Sequence, residues 1–238
     1  MPNVSNAAPV VTQGLGIGGA RSGAYASAAM GEGGATGRRA TALAGAGVAG
    51  YVLGTTPSAD VAARLATGGA TDLRRTGSGN PGAVNAMAAL GKAWGWAVLF
   101  ADIAKGALAC VAGGRLAGPV GANLAGTAAV LGHCYPVWNG FRGGKGVAVS
   151  SGQCLATFPA YFPIDLGVAW VAGRHSGRAL PATAIASAVW VATGVLWWRR
   201  GWPNGWAPQP GPALPAGAAA SSALILLRFT TARRPPAG

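Results

Sequence analysis

Acidic residues are scarce in this 238-residue chain: five Asp and Glu stand against 18 Lys and Arg, a formal net charge of +13. Charge of either sign is also thin, at 10% of residues, where a soluble globular domain usually carries about 25%. So few charges could not cover the water-facing surface of a chain this long. Cysteine is limited to Cys110, Cys134 and Cys154, unpaired in spacing and two of them in apolar runs, which excludes a disulfide scaffold. Metal-ligand spacing is lacking too, because Cys134 beside His133 is a lone neighbouring pair. What the chain has instead is apolar mass: 51% hydrophobic residues and a mean hydropathy of +0.37. That excludes bulk disorder and points to one all-α body sitting mostly in lipid. The basic surplus does not imply nucleic acid, since the cations lie in short loops between apolar segments rather than on an exposed face with stacking aromatics.

Residues 1–39 are Gly, Ala and Ser with scattered polar residues, and lack the basic start and continuous apolar core of a signal peptide. They are expected to form a disordered extension, with Met30 as an alternative start. A membrane domain is expected over 40–229, followed by a short basic tail over 230–238. Six stretches are apolar enough to be spans: 41–57, 93–113, 121–138, 147–172, 180–198 and 213–228. The fourth is long and carries Pro159 and Pro163, which break helices, so it divides into two. Seven spans place Arg64, Arg74, Arg75, Lys92, Arg142, Lys145, Arg174, Arg178, Arg228, Arg233 and Arg234 on one side. Only Arg115, Arg199 and Arg200 fall on the other, whereas six spans divide the cations almost evenly. By the positive-inside rule the seven-span bundle wins, with its Gly-rich loops and C-terminus in the cytosol.

Two of those loops could carry chemistry. The first, Thr76-Gly77-Ser78-Gly79-Asn80-Pro81-Gly82, formally matches G-x-G-x-x-G, but a dinucleotide site needs a buried strand before it and a βαβ unit. Here the preceding segment is charged, and Asp102, 20 residues on, lies in an apolar helix. The second, Gly140-Phe141-Arg142-Gly143-Gly144-Lys145-Gly146, is not a P-loop, because the Gly–Lys spacing differs and no Ser or Thr follows the lysine. Both loops nonetheless gather bare backbone amides beside cations, as binding a phosphate requires. The plainer reading of the first loop is a flexible turn that marks the cytosolic side. His133, just ahead of the second, is a general base or a structural hydrogen bonder. Asp102 and Lys105, three apart inside a span, share a helix face. They either neutralise each other or face a polar cavity beneath the loops, and the two readings are compatible.

In order, the chain reads Gly-Ser-Gly-Asn-Pro-Gly-Ala-x-Asn at 77–85, Asp-x-x-Lys-Gly at 102–106, Gly-His-x-x-Pro-Val at 132–137 and Gly-Phe-Arg-Gly-Gly-Lys-Gly-Val-Ala at 140–148. This pattern resembles the bacterial acyl-phosphate-dependent glycerol-3-phosphate acyltransferases, over roughly residues 48–229. The resemblance implies seven membrane helices in the cell membrane with the motif loops facing the cytosol. It also implies acyl transfer from acyl phosphate to the 1-hydroxyl of glycerol 3-phosphate, giving lysophosphatidic acid for phospholipid biosynthesis, with no cofactor and no metal. Carried onto this chain, Ser78, His133 and Lys145 would be catalytic. Gly77, Gly79, Asn80, Gly82 and Asn85 would form or support one substrate loop, and Arg142, Gly143, Gly144 and Gly146 the other. Lys105 and Arg228 would complete the phosphate-binding set.

The chain departs from the family pattern at several positions. Thr55 and Thr56 stand in an early turn that reads Gly-Ser-x-Pro in the family; Val84 replaces a Thr and Ala88 an Arg. Near the end Arg228 is kept, but Phe229, Thr231 and Ala232 occupy the His, acidic and Asn places. These departures keep a second reading open: a weakly active or inactive membrane paralogue that binds lipid or phosphate.

Overall fold

A computed structural model describes residues 18–232, with side chains from residue 35 onward. Its helices are α1 (Gly18–Gly54), α2 (Ser58–Thr67), α3 (Ala83–Leu90), α4 (Lys92–Cys134), α5 (Val147–Thr157), α6 (Phe162–Ser176), α7 (Ala179–Arg200) and α8 (Ala213–Thr231). A single 3-10 turn, Val137–Asn139, follows α4, and there is no strand among the described residues. Contacts divide the chain at Ala40, and the larger unit runs from Thr41. Of the expected 1–39 extension, residues 1–17 lie outside the described residues and the backbone is helical from Gly18. Most of the expected basic tail, from residue 233, is likewise outside them.

Each of the seven expected spans is mostly helical, and the breaks between them have identifiable causes. In α4, Ala117 (φ −144°, ψ 28°) and Gly118 (φ 62°, ψ −155°) leave helical geometry just ahead of Pro119. Glycine accepts the positive φ, and proline supplies no N–H to continue the ladder. Beyond this point the chain doubles back, so that Gly113 lies against Gly121 and Ala125, and Gly114 against Ala122. Residues eight apart on one straight helix would be about 12 Å from each other. The two halves of α4 are therefore separate, antiparallel spans. The division of 147–172 is observed as well: Phe158 leaves helical geometry, Pro159 follows, and a proline stands in the first turn of α6. Eleven-residue α5 rises about 16 Å, too little to cross a bilayer core alone. Three segments, Lys92–Asn139, Ala179–Arg200 and Ala213–Thr231, are long and apolar enough to cross a membrane.

Small residues let these helices approach closely, the usual means of packing where lipid offers no hydrophobic drive. Gly106 on α4 and Gly152 on α5 form a reciprocal contact. A Cβ at Gly106 would strike the Val149 carbonyl, and one at Gly152 the Ile103 carbonyl. This contact presses α5 against the stretch of α4 that carries Asp102 and Lys105, which sets the depth of the site below.

Candidate active site

The first loop, residues 72–82, is held by one buried side chain. Asn85, in the first turn of α3, donates through Nδ2 to the carbonyls of Leu73 and Thr76, both at 2.9 Å, and accepts from the Ser78 N–H at 3.2 Å. A buried amide so fully satisfied fixes the loop in one shape. Gly77 and Gly79 take φ of 57° and 67° to follow that path, and a Cβ on Gly77 would strike the Asn85 oxygen. Arg74 forms a paired contact with Asp60 of α2, at 2.5 and 3.0 Å, and donates to the Arg142 carbonyl at 2.8 Å. Asn139 also donates to Asp60, at 2.7 Å. The Arg74 guanidinium is thus engaged in tying both loops to α2.

The second loop, residues 135–146, folds over the end of α4. Gly143 and Gly144 donate to the carbonyls of Cys134 and His133, both at 3.1 Å. Glycine is required at 144, because a Cβ there would strike the His133 ring at Nε2. Arg228 of α8 grips the same segment, donating to the Gly143 carbonyl at 2.9 Å and the Gly144 carbonyl at 3.3 Å, beside the Tyr135 ring. Lys145 then extends over the Phe229 ring, with its Nζ 4.3 Å from the centroid.

Beneath the loops lies a buried ion pair. Asp102 and Lys105 meet at 2.8 Å and are 2% and 6% exposed. Ser58 donates to Asp102 at 2.5 Å, and Lys105 donates to the Thr56 carbonyl at 3.0 Å. Thr55 accepts from the Trp138 indole at 2.9 Å. The early turn, with its two threonines, therefore joins α1 and α2 to both the ion pair and the second loop. His133 Nδ1 stands 3.8 Å from Asp102, too far for a hydrogen bond.

These parts enclose a cavity of about 530 Å³. Ser78, Asn80, Gly82, Asn85, Asp102, His133, Lys145 and Gly146 line it on the loop side. Leu99, Ala169, Ala179, Ala182, Ala186, Trp190 and Ile225 supply apolar wall toward α6, α7 and α8. A crevice of about 20 Å³ beside it, about the room one water needs, is bordered by Thr56, Asp60, Arg74, Lys105, His133, Gly143 and Gly144. Two helix N-termini open on the larger cavity, that of α3 behind its cap Gly82 and that of α5 behind its cap Gly146. Both cap positions are glycine, with no side-chain cap on the first-turn amides, so the positive ends of both helices are available to anions.

The sequence-predicted residues fall into distinct places. Ser78, Asn80, Gly82, Asn85, His133, Lys145 and Gly146 converge on the cavity. Gly77 and Gly79 shape its first loop from outside the wall, and Gly143 and Gly144 border the crevice. Lys105 is buried in the ion pair, Arg228 clamps loop backbone, and the Arg142 side chain is exposed, with its carbonyl accepting from Arg74. Asp102 and Lys105 are paired at 2.8 Å, and Asp102 also borders the larger cavity while Lys105 borders the crevice. Sequence reasoning missed Ser58, Asp60 and Asn139, whose polar contacts carry no local motif. It also missed Asp165, Thr183 and Ser187, which punctuate the apolar wall from α6 and α7.

The family described as glycerol-3-phosphate acyltransferase matches residues 44–234. A glycerol-3-phosphate acyltransferase of Aromatoleum aromaticum is 45% identical over 143 residues, covering 60% of this chain and 71% of that protein. One from Bradyrhizobium diazoefficiens is 40% identical over 152 residues, covering 63% and 74%. Among solved structures, the glycerol 3-phosphate form of PlsY, an integral membrane glycerol 3-phosphate acyltransferase, superposes with a TM-score of 0.65 at 29% identity. That match covers 79% of this chain and 88% of PlsY. The lysophosphatidic acid form of the same enzyme gives a TM-score of 0.62 at 27% identity, over 79% and 87%.

Proposed function

Because the chain belongs to the glycerol-3-phosphate acyltransferase family of integral membrane enzymes, we propose that it transfers a fatty acyl group from acyl phosphate to the 1-hydroxyl of glycerol 3-phosphate. The products are lysophosphatidic acid and inorganic phosphate. The observation that carries this reading is the pair of uncapped helix N-termini, at Gly82 and Gly146, opening on one cavity with Lys145 and His133 in its wall. Each substrate brings one phosphate, and the site offers two anion cradles. The apolar wall from α6 and α7 suits the acyl chain.

Acyl phosphate is a mixed anhydride and already activated, so the reaction needs positioning and charge neutralisation more than acid–base power. The 1-hydroxyl attacks the acyl carbon, the bond from that carbon to the phosphate oxygen breaks, and phosphate leaves with the hydroxyl proton. Lys145 and the first-turn amides of α5 neutralise charge on a phosphate group. Ser78 and Asn80, held in place by Asn85, contact substrate from the first loop, and His133 lines the position between the loops. We place the loops on the cytosolic face of the cell membrane, on the strength of the basic-residue distribution.

Purified protein in detergent is expected to form lysophosphatidate from acyl phosphate and glycerol 3-phosphate, and none when acyl-CoA replaces acyl phosphate. The same gene is expected to rescue a strain lacking this acyltransferase. Absence of product from a folded preparation would refute the assignment.

A further inference from the structure

Position 229 carries phenylalanine where the family pattern has histidine, and the ring has acquired a contact of its own. Phe229 lines the cavity, and the Lys145 ammonium stands over its face, 4.3 Å from the centroid. The preceding residue, Arg228, holds the Gly143 and Gly144 carbonyls. Two consecutive residues of α8 therefore grip three consecutive residues of the second loop, Gly143 and Gly144 by their backbone and Lys145 by its side chain.

We propose that Phe229 is a positioning residue for the transfer reaction, its ring face fixing the Lys145 ammonium at the cavity wall. An ammonium is drawn to the negative face of an aromatic ring, more strongly where both are partly out of water. A carboxylate in this place would hold the lysine equally well but would cancel the charge needed by phosphate. An imidazole would add a group that titrates near neutral pH. A benzene ring does neither, so it restrains the side chain at the cavity wall without itself cancelling the charge. The replacement at 229 thereby reads as an alternative way of presenting Lys145, rather than as loss of the site.

This inference rests on the acyl-transfer reading, and the test separates the two. Steady-state kinetics of the full chain, varying each substrate in turn, are compared for wild type, Phe229→Tyr and Phe229→Leu. Tyrosine keeps the ring face and is expected to stay within about twofold of wild type. Leucine removes it and is expected to raise KM for a phosphate-bearing substrate about fivefold, the size of a partly desolvated cation–π contact, with kcat within about twofold. Phe229→Met repeats the comparison should the leucine variant fail to fold. Equal kinetics for Leu and Phe, or equal losses for Tyr and Leu, would overturn the proposal. If wild type makes no lysophosphatidate, the acyl-transfer reading fails by itself. Inorganic phosphate affinity, weakened about fivefold by Leu and not by Tyr, then decides the role of Phe229.

Discussion

Two buried asparagines, Asn85 and Asn204, hold two loops by the same device, and only one of those loops lies in the candidate active site. Each is 4% exposed and donates through Nδ2 to two backbone carbonyls: Leu73 and Thr76 for Asn85, Thr157 and Pro208 for Asn204. They differ in the other half of the amide. Asn85 Oδ1 receives the Ser78 N–H, whereas Asn204 Oδ1 has no hydrogen-bond partner among the described residues. The first clamp thus reaches forward to a residue on the cavity wall. The second ends in aromatic packing, where Trp197 meets Phe158 at 5.6 Å and Trp202 at 4.6 Å, both edge-on. Helix α5 links the two regions, from its cap Gly146, which lines the cavity with Asn85, to Thr157, whose carbonyl Asn204 holds. One region presents helix amides and Lys145 to a cavity; the other is held by rings and one side-chain amide. Similar clamps border the candidate active site in one region and an aromatic cluster in the other.

The largest effect is expected in the first region. Lys145→Ala should lower lysophosphatidate formation by about 100-fold or more, as removal of one charge-stabilising donor does elsewhere, while the melting curve in detergent barely moves. Next comes the ion pair beneath the loops. Asp102→Ala leaves the Lys105 ammonium buried without a counter-charge and should cost about 3–5 kcal/mol of stability. The double change Asp102→Leu with Lys105→Met should recover most of it, measured by chemical unfolding.

The asparagine pair tests the comparison directly. Asn85→Ala and Asn204→Ala should each lose about 1–3 kcal/mol from carbonyls left without donors, but only Asn85→Ala should also reduce activity of the folded fraction. Equal activity in the two variants would break the distinction between the loops. The smallest effect belongs to Trp206, which is 75% exposed. Trp206→Ala should change detergent-state stability by less than about 0.5 kcal/mol, and activity not at all.

Much of the fold was legible because its signals are local. Pro159 and Pro163 divided one apolar stretch into α5 and α6, and the glycine-rich motifs marked both loops. The fold-back within α4 was legible too, as a gap between two apolar stretches around Gly118 and Pro119. Less legible was the division of labour among the cations. Arg74, Lys105, Arg142, Lys145 and Arg228 look alike in composition, yet only Lys145 lines the larger cavity. What separates them is the partner each one meets, and those partners lie 14 residues away for Asp60 and Arg74, or 85 for Gly143 and Arg228. No local pattern encodes such pairings.

By itself, then, the sequence determined that the chain is an all-α membrane protein, where its helices break, and which two loops hold glycine beside charge. Hydropathy, proline and glycine act within a few residues, so they are readable along the chain. Tertiary structure alone decided that both loops converge on one cavity with the N-termini of α3 and α5, that Arg228 clamps backbone, and that Phe229 faces Lys145. Those outcomes depend on close helix approach, as at Gly106 and Gly152, which brings distant residues within hydrogen-bonding and electrostatic range.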